Sequence, residues 1–123
     1  MEQKTVLLVE DDETIRTLFA TALTGAGIHV ITASNGEDGV ILALKEHPSL
    51  ILMDIELPNM NGHATVAKIR EDSWGRSAKV LYLTNFSEPA NVVQAVSQKV
   101  EDYIVKANTP IKEIINRVRT AMY

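Results

Sequence analysis

Apolar residues return along the chain in two alternating patterns. Short unbroken runs, Val6-Leu7-Leu8-Val9, Leu50-Ile51-Leu52-Met53, Val80-Leu81-Tyr82-Leu83 and Tyr103-Ile104-Val105, are separated by stretches in which apolar positions recur every three or four residues. An unbroken run of this length suits a strand buried on both faces, as in a parallel sheet. The wider spacing suits a helix with one apolar stripe. The pattern predicts strands over 5–9, 28–32, 50–53, 79–83 and 102–105. Between them it predicts a first helix with Ile15, Leu18, Phe19, Ala22 and Leu23 on one face, stopped by Gly25-Ala26-Gly27. A second helix opens at Asn35-Gly36, turns Val40, Ala43 and Leu44 inward and ends at His47-Pro48, because the position before proline disfavours helix. A third covers 62–71, with Val66 and Ile69 inward. The fourth covers 89–100, with proline in its first turn. The fifth covers 110–122, with Ile111, Ile114, Ile115, Val118 and Met122 on its stripe.

Strands alternating with helices imply an α/β fold, a five-stranded parallel sheet with helices on both faces. Right-handed crossovers and the flavodoxin-like strand order 2-1-3-4-5 place a topological switch point between the first and third strands. The 123 residues, 46% hydrophobic and 23% charged, fit a single soluble domain over 1–123. A net charge of −4 argues against a broad basic patch, so neither direct nucleic-acid binding nor an anionic membrane is expected. No cysteine is present, which excludes disulfides and thiolate metal sites. Residues 1–4 lack the features of a secretory signal, and no apolar run approaches the ~20 residues of a membrane span, so a cytoplasmic location is expected.

Four of the predicted strands end on a polar residue suited to chemistry. The first runs into Glu10 and Asp11, the third into Asp54, the fourth into Thr84 and the fifth into Lys106. In a parallel sheet these ends share one edge, where open α/β sheets bind ligands. Clustered carboxylates repel, and a hard divalent cation with oxygen ligands relieves them. The stretch 10–13 also reads as an acidic helix start with Asp12 as N-cap, leaving Glu10 and Asp11 for the pocket. Asp54, at the end of an apolar strand, costs free energy unless paired; it suits either an N-cap or a nucleophile that forms an acyl phosphate. Lys106 suits neutralisation of Asp54 or a phosphoryl contact, and equally a solvated strand end. Thr84 suits a hydrogen bond to a phosphoryl oxygen, or a plain β-branched strand residue. His29, His47 and His63 follow no metal-ligand spacing and read as surface residues. Trp74 reads as a packing cap, and Met53 and Met60 as packing residues.

The motifs Val9-Glu10-Asp11-Asp12, Met53-Asp54 with Pro58 and Gly62 behind it, Leu83-Thr84 and Asp102-Tyr103-Ile104-Val105-Lys106 occur in the order and spacing of a known family. From Val6 to Met122 the chain resembles the receiver domain of two-component response regulators, in particular the chemotaxis-type single-domain receiver. The resemblance implies a signalling phosphoacceptor rather than an enzyme. Asp54 accepts a phosphoryl group from a sensor histidine kinase or phosphotransfer protein. Asp11, Asp54 and the backbone carbonyl of Glu56 bind Mg2+ (or Mn2+), with Glu10 acting through the metal's water. Thr84 and Lys106 contact the phosphoryl oxygens, and Tyr103 is the switch aromatic. An unidentified downstream protein reads the face formed by the fourth strand, fourth helix and fifth strand. No output domain is expected after the fifth helix, which suits a stand-alone regulator or an excised receiver.

Three positions depart from the family pattern. Ala107 follows Lys106 where proline is usual, so a trans peptide and a different loop are expected, since a non-proline cis bond costs ~3 kcal/mol. Asn85 and Phe86 follow Thr84 where a small residue is usual, and both crowd the phosphoryl site. With Glu56, Phe86 flanks the path of an attacking water, which predicts slow self-dephosphorylation. The alternatives are a degenerate receiver acting as a protein-binding scaffold, a flavin-binding module and an aspartate-nucleophile phosphatase. The flavin module lacks its Ser/Thr/Gly-rich phosphate loop here, and the phosphatase wants aspartate at the position of Glu56.

Overall fold

The computed structural model describes residues 4–85 and 89–123. Five strands, β1 (Thr5–Val9), β2 (His29–Ala33), β3 (Leu50–Asp54), β4 (Val80–Thr84) and β5 (Asp102–Val105), alternate with helices α1 (Glu13–Gly25), α2 (Gly36–Glu46), α3 (Gly62–Arg70), α4 (Pro89–Ser97) and α5 (Ile111–Met122). The sheet is parallel in the order β2-β1-β3-β4-β5. β3 and β4 are buried at every position, which is why their sequences show no apolar–polar alternation.

Two apolar layers sandwich the sheet. One joins Leu7, Val9, Ile51, Met53 and Tyr82 to Ala43 of α2 and to Val66 and Ile69 of α3. The other joins Val6, Leu8, Leu50, Leu52, Leu81 and Ile104 to Phe19 and Leu23 of α1 and to Ile114, Val118 and Met122 of α5. Side-chain caps start the first three helices where the sequence offers them: Asp12, Asn35 and Asn61 accept from the backbone N–H groups of Ile15, Asp38 and Ala64. His47 ends α2 in the left-handed conformation, with φ 47°.

Several expectations shift. β2 and β4 each lie one residue later than predicted, so β4 ends on Thr84, and β3 extends to include Asp54. α4 ends at Ser97, where Lys99 at φ 58° turns the chain toward β5. Leu18 belongs to the exposed side of α1, not its buried stripe, with 56% of its surface accessible. The stripe narrows because α1 covers the sheet through Phe19 and Leu23 alone, with Ile15 and Ala20 at its margin. His63 is buried rather than on the surface, 4% exposed at the start of α3. Its Nδ1 lies 3.1 Å from the Gln98 side-chain oxygen, which also accepts the Tyr82 hydroxyl at 2.6 Å. His47 and His29 are exposed. His47 stacks on Trp74 at 4.4 Å, so Trp74 is a packing cap.

Candidate functional site

The carboxyl ends of β1 and β3 adjoin because Val9 pairs with Met53. Beyond that pair the chain delivers Glu10, Asp11 and Asp54 to one spot. Each offers a carboxylate oxygen, and these oxygens lie within 4.8 Å of one another. Glu10 and Asp54 are buried at 2% and 3% exposure, while Asp11 is exposed. Asp12 leaves the cluster to cap α1, as expected.

Behind Asp54 the chain turns into α3 through a tight loop. The Gly62 N–H donates to the Ile55 carbonyl at 2.9 Å. A methyl group at Gly62 would overlap the Asp54 carbonyl oxygen and lie 2.8 Å from the Ile55 Cα. Glycine therefore lets the first turn of α3 press against the back of the acidic residue.

Lys106, at the end of β5, reaches across the sheet edge. Its Nζ lies 2.6 Å from Glu10 Oε1 and 3.6 Å from Asp54 Oδ2. The expected neutralisation of Asp54 is thus shared, and the shorter contact is to Glu10. Glu10 also accepts the Asp12 N–H at 3.1 Å. Burial alone would raise the Glu10 carboxyl, but the Lys106 hydrogen bond and charge outweigh it and hold it below its usual range. Asp11 is pushed up by desolvation and by Glu10 beside it. Asp54 is raised to about 7: burial dominates, Lys106 opposes it, and Glu10 and Glu56 add to it. Three acids with, among the described residues, one ammonium in contact form a site short of positive charge, which suits a divalent cation.

Lys106 starts a short 3-10 turn, Lys106–Asn108, and among the described residues no peptide bond is cis. The loop thus has the trans geometry expected with Ala107.

Thr84 is fully buried at the end of β4. Its hydroxyl donates to Glu56 Oε2 at 2.6 Å, and the Asn85 N–H donates to Glu56 Oε1 at 2.7 Å. The Glu56 N–H in turn donates to Asp54 Oδ1 at 3.2 Å. Sequence reasoning assigned Glu56 only a backbone carbonyl and a place beside a water path; its side-chain bridge to β4 went unforeseen. Phe86, the other residue expected to crowd the site, lies outside the described residues. Tyr103 is half-buried, paired with Tyr82 across the β4–β5 register and meeting that ring edge-on at 6.5 Å. Met53 is buried, and Met60 is half-buried in the loop behind the site.

Gln98 and Arg70 carry a second polar group that the sequence did not announce. Gln98 donates to the His63 carbonyl at 2.9 Å. Arg70 donates to the carbonyls of Gly75, Ala78 and Gln98. A signal existed: His63, Val66 and Arg70 fall at i, i+3 and i+7, one face of α3.

Residues 6–119 match the family model described as the response regulator receiver domain. The chain is 33% identical over 98% of its length to the probable transcriptional regulator ycf27 of Porphyra purpurea, covering 48% of that protein. It spans about half the length of the curated relatives it matches. Its fold is similar to that of the chemotaxis protein CheY4 of Vibrio cholerae, with a TM-score of 0.90, 24% identity and coverage of 98% and 99% of the two chains. It is likewise similar to the receiver domain of the sensor histidine kinase PA1611 of Pseudomonas aeruginosa PAO1, solved with magnesium coordinated in its active-site cleft. That match has a TM-score of 0.87 and 24% identity, and covers 98% of each chain. Among the described residues no helix is long and apolar enough to cross a membrane.

Proposed function

The chain belongs to the response regulator receiver domain family, and from that premise we propose that it is a phosphoacceptor switch with Asp54 as the acceptor. Receiver domains take phosphoryl groups from histidine kinases and generally bind Mg2+ at an acidic pocket. The observation that carries the assignment is the meeting of Glu10, Asp11 and Asp54 at the switch point with Lys106 in reach.

In the proposed reaction an Asp54 carboxylate oxygen attacks the phosphorus of a phosphohistidine on a sensor histidine kinase or phosphotransfer protein. The P–N bond breaks with its electron pair going to the ring nitrogen, a proton from solvent leaves the departing imidazole neutral, and an aspartyl phosphate remains. Asp11, Asp54 and the Glu56 carbonyl would hold Mg2+ (or Mn2+), with Glu10 acting through its water; when bound, the ion supplies charge neutralisation at the transferring oxygens. Lys106 steadies the same oxygens from the β5 side. Asp54 must shed its proton to attack, and its raised pKa makes nearby positive charge a condition of reactivity. Thr84 then turns toward the phosphoryl group and Tyr103 moves inward, which alters the face formed by β4, α4 and β5 for a downstream protein.

The test is incubation with acetyl phosphate and Mg2+ followed by intact mass measurement. The expected result is one phosphoryl adduct in the native chain and none in Asp54→Ala. No adduct with any divalent cation would leave a protein-binding scaffold and remove the switch.

A further inference from the structure

We propose that the Glu56 side chain is a built-in stand-in for the phosphoryl group, holding β4 in its resting arrangement until a phosphoryl group displaces it. The inference rests on the phosphoacceptor reading above. A phosphoryl group on Asp54 presents anionic oxygens, and the end of β4 offers a hydroxyl and a backbone N–H as donors. Both are already engaged by one carboxylate: the Thr84 hydroxyl at 2.6 Å from Oε2 and the Asn85 N–H at 2.7 Å from Oε1. A fork of two oxygens on two donors is how an anion is normally gripped.

The backbone fixes this arrangement. The Glu56 N–H donates to Asp54 Oδ1, and the Ile55 N–H donates to the Leu83 carbonyl at 3.3 Å. The chain thus leaves β3 still hydrogen-bonded to β4, and the Glu56 side chain need only cross to the neighbouring strand. Thr84 is fully buried, so its hydroxyl cannot trade this partner for bulk water at low cost. Lys106, among the described residues the one cation in contact with the acids, is engaged with Glu10 and Asp54 rather than with Glu56. Glu56 is therefore held on β4 by its two donors.

Two consequences follow. An arriving phosphoryl group competes with a carboxylate already on its donors, which weakens its binding. Once it wins, Glu56 is expelled as a negative charge beside a new one, so the resting and phosphorylated arrangements exclude each other. This is an autoinhibitory contact placed inside the site rather than on a separate domain.

The experiment uses beryllofluoride, a tetrahedral mimic of an aspartyl phosphate, titrated with saturating Mg2+ against the wild-type chain, Glu56→Ala and Glu56→Gln. Amide exchange at Asn85 is followed by NMR before any ligand is added. The expected result is beryllofluoride binding about tenfold tighter in Glu56→Ala, the net worth of one charge-assisted hydrogen bond. Glu56→Gln, which keeps an acceptor oxygen, should fall between the two. The Asn85 amide should be protected in the resting wild-type chain and lose protection in Glu56→Ala. Equal affinities in all three chains, or an Asn85 amide indifferent to Glu56→Ala, would overturn the inference while leaving the phosphoacceptor reading intact. Equal gains in Glu56→Ala and Glu56→Gln would reduce it to simple charge repulsion and overturn it as well. Beryllofluoride bound by none of the chains would overturn the phosphoacceptor reading and this inference with it.

Discussion

The Asp54 carboxyl has lost most of its water and faces Glu10 and Glu56, and Lys106 offsets only part of that cost, so its pKa rises from 3.8 to about 7. The consequence for stability has a definite sign. Below pH 3.8 both folded and unfolded chains carry the Asp54 proton, and the residue makes no difference. As pH rises, the unfolded chain releases its proton first and folded stability falls; above pH 7 the loss is complete. Asp54→Asn, nearly the same shape without the charge, should therefore raise Tm by several degrees at pH 8 and by little at pH 4. Thermal melts at both pH values without divalent cations check this, and equal shifts would contradict it. Glu10 behaves in the opposite sense. Its folded pKa lies below 4.5, so its contribution is present above that pH and lost as pH falls through the folded value. Lys106→Ala leaves Glu10 buried without its ammonium and should cost about 3 kcal/mol at pH 7, shrinking toward pH 4, as read by urea denaturation at the two pH values. The acids and the lysine were legible as residue types at strand ends. Which acid the lysine prefers was not, because that depends on a distance between β1 and β5, and periodicity describes only one element at a time.

At the scale of elements, four of the five strands were legible because each is built on a run of apolar residues bounded by turn chemistry, and the predicted ends of all five fall within a residue of the observed ones. Helix faces were read less well. The reading put Leu18 inside and His63 on the surface, and it missed His63 because the buried face of α3 is closed partly by polar groups that satisfy one another: His63, Gln98 and the Tyr82 hydroxyl. The contact between β3 and α3 is tighter than the pattern suggests. Gly62 lies against the Asp54 and Ile55 backbone with no room for a Cβ. Gly62→Ala should force the start of α3 away from the end of β3, at a cost of about 1–3 kcal/mol. It should also weaken Mg2+ binding, because the same loop carries Glu56. Chemical denaturation reads the first effect and a Mg2+ titration the second; a stable variant with unchanged Mg2+ affinity would show that the loop yields.

At the scale of the molecule, the strand order has a kinetic consequence. β1 and β3 lie inside the sheet, each hydrogen-bonded on both sides, whereas β5 pairs only with β4. An edge strand can detach by breaking one ladder, and an inner strand cannot leave without dismantling the core. Native-state hydrogen exchange should therefore show β5 amides opening well below the global unfolding free energy and β1 and β3 amides opening only with it. Uniform protection across the sheet would refute this partition. The three clustered acids hang from the ends of β1 and β3, and Tyr103 and Lys106 from β5. On that partition β1 and β3, which carry the acids, form the slow part of the molecule, and fraying of the β5 edge alone would draw Lys106 away from Glu10 and Asp54 while the ladder between β1 and β3 stays closed.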